Sequence, residues 1–217
     1  MKLEKKENEK DIYLMLNKPA GYITARSDKS LKTIFDILPS TLKNEYTLFP
    51  VGRLDKDTEG LIILTNDGKF CHNIIHGKSN IKKVYEFWAL GKLTQEYIKE
   101  IRNGILLEDN FSDNNKPTKP AEIEILEEHK FSDIKDQISN LPYRKIGKQK
   151  DEQDIFKARI TIYEGRKHEV KRILKHCKCF VIYLKRLSIG SLNIDENLNL
   201  GECRSLTNEE LLLIQKN

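Results

Sequence analysis

The sequence predicts an α+β fold, a mixed and largely antiparallel β-sheet flanked by helices. Two observations predict it. Short apolar or alternating runs recur along the chain, at residues 12–16, 61–65, 82–90, 121–126, 156–163 and 180–184. Helical patterns lie between them, and hairpin-length connections occur beside longer ones, as antiparallel pairing allows.

The elements follow in order. Residues 1–10 are a charged leader, and 11–217 read as a single domain. The run at 12–16 is a buried strand that ends in a turn marked by Pro19 and Gly21. Leu31, Ile34, Phe35 and Leu38 share one helical face, and Pro39 stops that helix. Residues 61–65 form a compact strand closed by Asn66-Asp67-Gly68, a turn whose glycine readily takes positive φ. A short helix over about 69–75 follows. Aromatic and β-branched residues make 82–90 a strand. Thr94 caps a helix that Gly104 ends. Residues 121–126 alternate strictly, as a half-buried strand does. The segment 129–154 is polar, lysine-rich and weakly periodic, which predicts an insertion or mobile loop. Residues 156–163 alternate again, and Glu164-Gly165 turns the chain into a basic helix over about 167–176. Thr207 and Glu210 fit a capping box for a last helix.

Charge is distributed unevenly. The whole chain of 217 residues carries a net charge of +5, yet residues 164–186 hold eight basic and two acidic side chains. This segment alone exceeds the net charge of the chain, as a phosphate-binding surface requires. A solvated helix face is the plainer reading of the same charges. No apolar run approaches the ~20 residues of a membrane span, and the leader lacks the apolar core of a secretory signal. The expected setting is cytoplasmic, with the four cysteines reduced and partly buried.

The most informative stretch is Gly52-Arg-Leu-Asp-Lys-Asp-Thr-Glu-Gly60, which leads into the strand at 61–65. It places Asp55 in a glycine-bounded loop two residues after Arg53. A carboxylate that acts as nucleophile or base must stay ionised in a partly dry pocket, and a neighbouring guanidinium favours that form. A loop aspartate that caps the next segment fits the same residues.

This pattern resembles the catalytic motif of the pseudouridine synthases of the RsuA/RluB/RluE/RluF type. Three further stretches match in the expected order: Leu16-Asn-Lys-Pro-Ala-Gly-Tyr22, Lys83-Val-Tyr-Glu86 and Glu164-Gly-Arg-Lys-His-Glu-Val-Lys-Arg172. The resemblance implies one catalytic domain that isomerises uridine in RNA without metal or cofactor. It implies Asp55 as catalytic aspartate, Tyr85 as the ring beside the target base and Arg166 as the cation paired with the carboxylate. It makes Arg53 a candidate for holding the flipped-out nucleotide. Lys18, Lys167, Lys171, Arg172 and Lys175 are further candidates for RNA contact. The expected partner is ribosomal RNA or an assembly intermediate, bound by a monomer. Lys116-Pro-Thr-Lys-Pro-Ala121 looks more like the small-subunit branch, with a large-subunit target as the alternative. Such chemistry is physically coherent. Base flipping exposes the glycosidic bond, an aromatic ring offers a stacking surface, and a carboxylate can attack covalently or assist cleavage.

Two departures stand out. Family members often carry an N-terminal S4-type module, whereas here the first motif begins about a dozen residues in, so either a branch that works without that module or a shortened chain is expected. Glu169 also stands where glutamine is usual. Two other functions fit parts of the sequence. A non-catalytic RNA-binding assembly factor would not need Asp55, Tyr85 and Arg166 together. A metal-dependent hydrolase would need a third acidic ligand beside Asp55 and Asp57, and none stands out. His72, His76 and Cys71, like His176, Cys177 and Cys179, lack the paired spacing of a zinc site.

Overall fold

The computed structural model describes residues 10–45, 47–75, 80–107, 116–142 and 151–214. The leader is therefore outside the described residues, except for Lys10. The chain divides into two compact units, residues 1–81 with 187–217, and residues 82–186.

In the first unit, β1 (Tyr13–Lys18) pairs antiparallel with β3 (Glu59–Thr65), from Tyr13 opposite Thr65 to Lys18 opposite Gly60. β2 (Phe49–Val51) pairs with β3, and β9 (Cys203–Ser205) pairs with β1. Every residue of β3 is buried, as a strand covered on both faces must be. Met15, Leu61 and Ile63 join Phe70 and Ile74 of α2 (Gly68–Ile75) and Ile214 of α6 (Asn208–Ile214) in one apolar cluster. The Thr207 capping box forms as expected: Thr207 N–H donates to Glu210 Oε2 at 2.9 Å, and Glu210 N–H to Thr207 Oγ1 at 3.2 Å.

Two local expectations give way here. Gly68 does not take positive φ; it opens α2, which Asp67 caps by accepting from Lys69 N–H and Phe70 N–H. The aspartate makes a better start signal than the glycine makes a turn. The helix expected over 31–38 shrinks to a 3-10 turn at Ile34–Ile37, and after Pro39 a separate α1 (Ser40–Glu45) follows. Asp36 closes a capping box on Thr33, which starts the turn later than apolar spacing suggested.

In the second unit, β4 (Lys83–Leu90) pairs antiparallel with β6 (Asp154–Ile162), and β5 (Glu122–Lys130) pairs with β6 through a bulge at Ile125/Glu127. β7 (Phe180–Ile189) lies on the other side of β4; its residues 187–189 belong to the first unit, where they pair with β8 (Leu192–Asn193). The sheet is thus mixed and largely antiparallel, as expected. α3 (Gln95–Asn103) starts at Thr94 and stops at Gly104, whose φ of +87° and close approach to the Thr118 carbonyl leave no room for a Cβ.

The polar segment 129–154 is not wholly a loop. Its start completes β5, and α4 (Phe131–Ser139) follows. Phe131, Ile134 and Ile138 are buried against Trp88, Leu90, Ile155 and Ile182. Their i, i+3, i+7 spacing was present in the sequence, diluted by six polar neighbours. Arg144, Lys145, Lys148 and Lys150 lie outside the described residues.

Candidate active site

Asp55 sits in the loop of the β2–β3 hairpin. Gly52 at φ +80° and Gly60 at φ +101° bound this loop, a conformation that residues with a Cβ seldom adopt. The Asp55 carbonyl accepts from Thr58 N–H at 3.1 Å, which closes a tight turn behind the carboxylate. The preceding residue is clamped by one hydroxyl: Thr24 Oγ1 donates to the Leu54 carbonyl at 2.8 Å and accepts from Leu54 N–H at 3.1 Å. Gly21 N–H donates to the Lys56 carbonyl at 2.8 Å.

Lys18 completes the scaffold. It is 0% exposed, and its Nζ donates to the carbonyls of Thr58 at 2.7 Å, Pro19 at 3.1 Å and Lys56 at 3.3 Å. A buried ammonium is tolerated only with such partners. Lys18, a candidate for RNA contact in the sequence, is thus fully buried and ties its ammonium to three main-chain carbonyls. Arg53 and Lys56 are exposed and Asp55 is half-buried, while Thr58 at the end of the loop is buried. Thr24 escaped the sequence reading. Its signal is a hydroxyl two residues beyond Tyr22, too common to single out.

The second unit holds the other candidates. Tyr85 lies in β4 opposite Ile160 and is only 8% exposed. By strand alternation it shares a face with Lys83 and Phe87. Arg166 lies in the turn between β6 and α5 (Glu169–His176). Its Nε meets Glu164 Oε1 at 3.1 Å, Nη1 donates to the Lys116 carbonyl at 2.7 Å and Nη2 donates to the Pro117 carbonyl. These contacts hold the guanidinium against Glu164 and the Lys116–Pro117 main chain. Glu164 as its anchor was missed, although it opens the same motif.

Along α5, Val170, Ile173 and Leu174 are buried as the apolar spacing predicted. Lys167 and Lys175 are exposed and Lys171 is half-buried. Arg172, another candidate for RNA contact, is 7% exposed and donates from Nη1 to the Lys167 carbonyl at 3.1 Å. The buried face of this helix is wider than the apolar residues alone indicated, and it takes Arg172 with it.

Comparison with known proteins decides the family. A family model described as RNA pseudouridylate synthase matches residues 12–176, a stretch that holds all four motifs. The chain belongs to this family. It is an RNA-modifying isomerase. An uncharacterized RNA pseudouridine synthase of Bacillus subtilis is 37% identical over 206 residues, which cover 94% of this chain and 74% of that protein. A ribosomal small subunit pseudouridine synthase A of Pasteurella multocida is 33% identical over 204 residues, 94% of this synthase and 74% of the relative. A ribosomal large subunit pseudouridine synthase B of Bacillus subtilis is 32% identical over 208 residues, 95% and 72% of the two chains. A solved pseudouridylate synthase superposes with a TM-score of 0.75 at 32% identity, over 95% of this synthase and 74% of that chain.

Proposed function

We propose that this synthase converts a specific uridine of ribosomal RNA to pseudouridine, with small-subunit RNA as the favoured target and Asp55 as the catalytic carboxylate. The observation that carries the reading is the anchoring of the Asp55 loop. Hydrogen bonds from Lys18, Gly21 and Thr24 fix the backbone on both sides of Asp55, and the residue itself is half-buried. Preorganisation of this kind suits a group that must meet a nucleotide brought out of its stack. The carboxylate would then attack covalently or assist glycosidic cleavage. Isomerisation keeps every atom, so no external energy source is needed.

Ribosomal RNA is supported by the names of the relatives, and the small-subunit preference by the Lys116–Ala121 stretch. Two carbonyls of that stretch, those of Lys116 and Pro117, hold Arg166. The large-subunit relative favours the second reading, a large-subunit target. Pseudouridine mapping in RNA from cells with and without the gene tests both. Loss of one small-subunit position is expected. Loss confined to large-subunit RNA supports the second reading, and an unchanged map in ribosomal RNA overturns both.

A further inference from the structure

The chain that follows the first motif runs alongside the Asp55 loop. Gly21 N–H meets the Lys56 carbonyl, Thr24 Oγ1 holds Leu54, and Arg26 Nη1 donates to the Leu48 carbonyl at 2.7 Å, just ahead of β2. Residues 24–32 form a loop whose ends are joined. Ile23 N–H donates to the Lys32 carbonyl at 2.9 Å, and Ile34 N–H to the Ile23 carbonyl at 3.0 Å. Within the loop, Asp28 Oδ1 accepts Ser30 N–H and Leu31 N–H, each at 2.9 Å, and so folds the tip. Closed and braced in this way, the loop keeps one shape.

Its side chains have no core to fill. Every residue from Arg26 to Lys32 is exposed, and Arg26, Lys29 and Lys32 are basic against the single acid Asp28. Arg26 is exposed and yet fixed. Besides the Leu48 carbonyl, its guanidinium meets the ring of buried Phe35, 5.6 Å from the centroid. An arginine on the surface gives up rotamer freedom when it meets a ligand, whereas this one has given it up on folding. The guanidinium has five N–H donors, and its bond to Leu48 uses one nitrogen. A planar, preorganised cation of this kind suits a phosphate.

We propose that the 24–32 loop binds phosphates of the RNA strand beside the nucleotide that Asp55 receives, with Arg26 as the fixed contact and Lys29 and Lys32 next to it. The main chain gives the location. Arg26 stands two residues past Thr24, at most about 7 Å of chain, and Thr24 binds the residue next to Asp55. The ligand is the backbone and not a base, because cations without an amide or carboxylate partner to read a base edge position the strand and carry little sequence information. Asp28 does not oppose this, since its carboxylate is turned onto the loop's own N–H groups. The location beside the target rests on Asp55 as the catalytic carboxylate; the phosphate affinity of the loop does not.

The test compares wild type with the triple variant Arg26→Gln, Lys29→Gln, Lys32→Gln. Filter binding of a single-stranded oligouridylate across a salt series should show weaker binding by the variant. Its log–log slope should be smaller by about 2, as three lost phosphate contacts on a single strand require. On an oligouridylate with an uncharged methylphosphonate backbone, the two proteins should bind alike. In steady-state kinetics on ribosomal RNA that lacks the modification, kcat/KM should fall chiefly through a higher KM, the mark of lost uniform binding. The binding measurements use no activity, so they decide this proposal separately from the catalytic reading. If circular dichroism shows the triple variant unfolded, Lys29→Gln with Lys32→Gln carries the test, with a slope smaller by about 1.4. Unchanged affinity and slope in a folded variant, or an equal loss on the uncharged backbone, overturns the proposal and leaves Arg26 as a brace for its own loop.

Discussion

Lys18 Nζ donates to the Thr58 carbonyl at 2.7 Å, tying the end of β1 to the loop that carries Asp55. Two sequence motifs that lie about forty residues apart thus form one piece of scaffold. The first motif is there to hold the second, and its lysine acts through the backbone.

Replacing Lys18 by Met should therefore lower turnover more than RNA affinity. Buried carbonyls left without their donor cost about 1–3 kcal/mol. Chemical denaturation should show that loss, and steady-state kinetics should show kcat falling with KM nearly unchanged. A variant whose KM alone rises would mean that Lys18 contacts the RNA.

The exposed cations of the α5 region should act on affinity and salt dependence together. Neutralising Lys167, Lys175 and Lys178, all exposed, should weaken RNA binding and reduce the log–log salt slope by about 2 if each meets one phosphate of a single strand. Arg172→Ala should instead destabilise the fold, because that side chain is buried. Filter binding across a salt series separates the two. An unchanged slope in the triple variant would leave the basic helix as a solvated face.

Helix α4 should contribute to the stability of its unit. Ile138 is 0% exposed, and Ile138→Ala should cost about 2–5 kcal/mol through lost contacts and the cavity left behind. Urea denaturation measures it. A cost below about 0.5 kcal/mol, ordinary for an exposed site, would mean that α4 does not pack on the sheet in solution.

Much of this was legible in the sequence, for physical reasons that differ by residue. Strict alternation marked β5 and β6, and Thr94 with Gly104 marked both ends of α3, because each signal acts locally. The Asp55 loop was legible through its glycines, whose positive φ the structure shows at Gly52 and Gly60. What escaped depends on partners distant in sequence. Nothing near Lys18 says that its ammonium will meet the carbonyls of Lys56 and Thr58. Nothing near Arg166 names the carbonyls of Lys116 and Pro117. Arg172 looked outward because it is charged, yet its place beside Ile173 on the buried side of α5 decides its environment. α4 was hidden by polar neighbours that face water and carry no weight in the packing.

The most direct measurement is pseudouridine formation by purified Asp55→Asn protein on ribosomal RNA that lacks the modification. The side chain keeps its shape and loses its charge, so the hairpin and the RNA affinity should survive. Turnover should fall below detection while the circular dichroism spectrum and RNA affinity match wild type. Near wild-type turnover by D55N would contradict the assignment of Asp55 as the catalytic carboxylate.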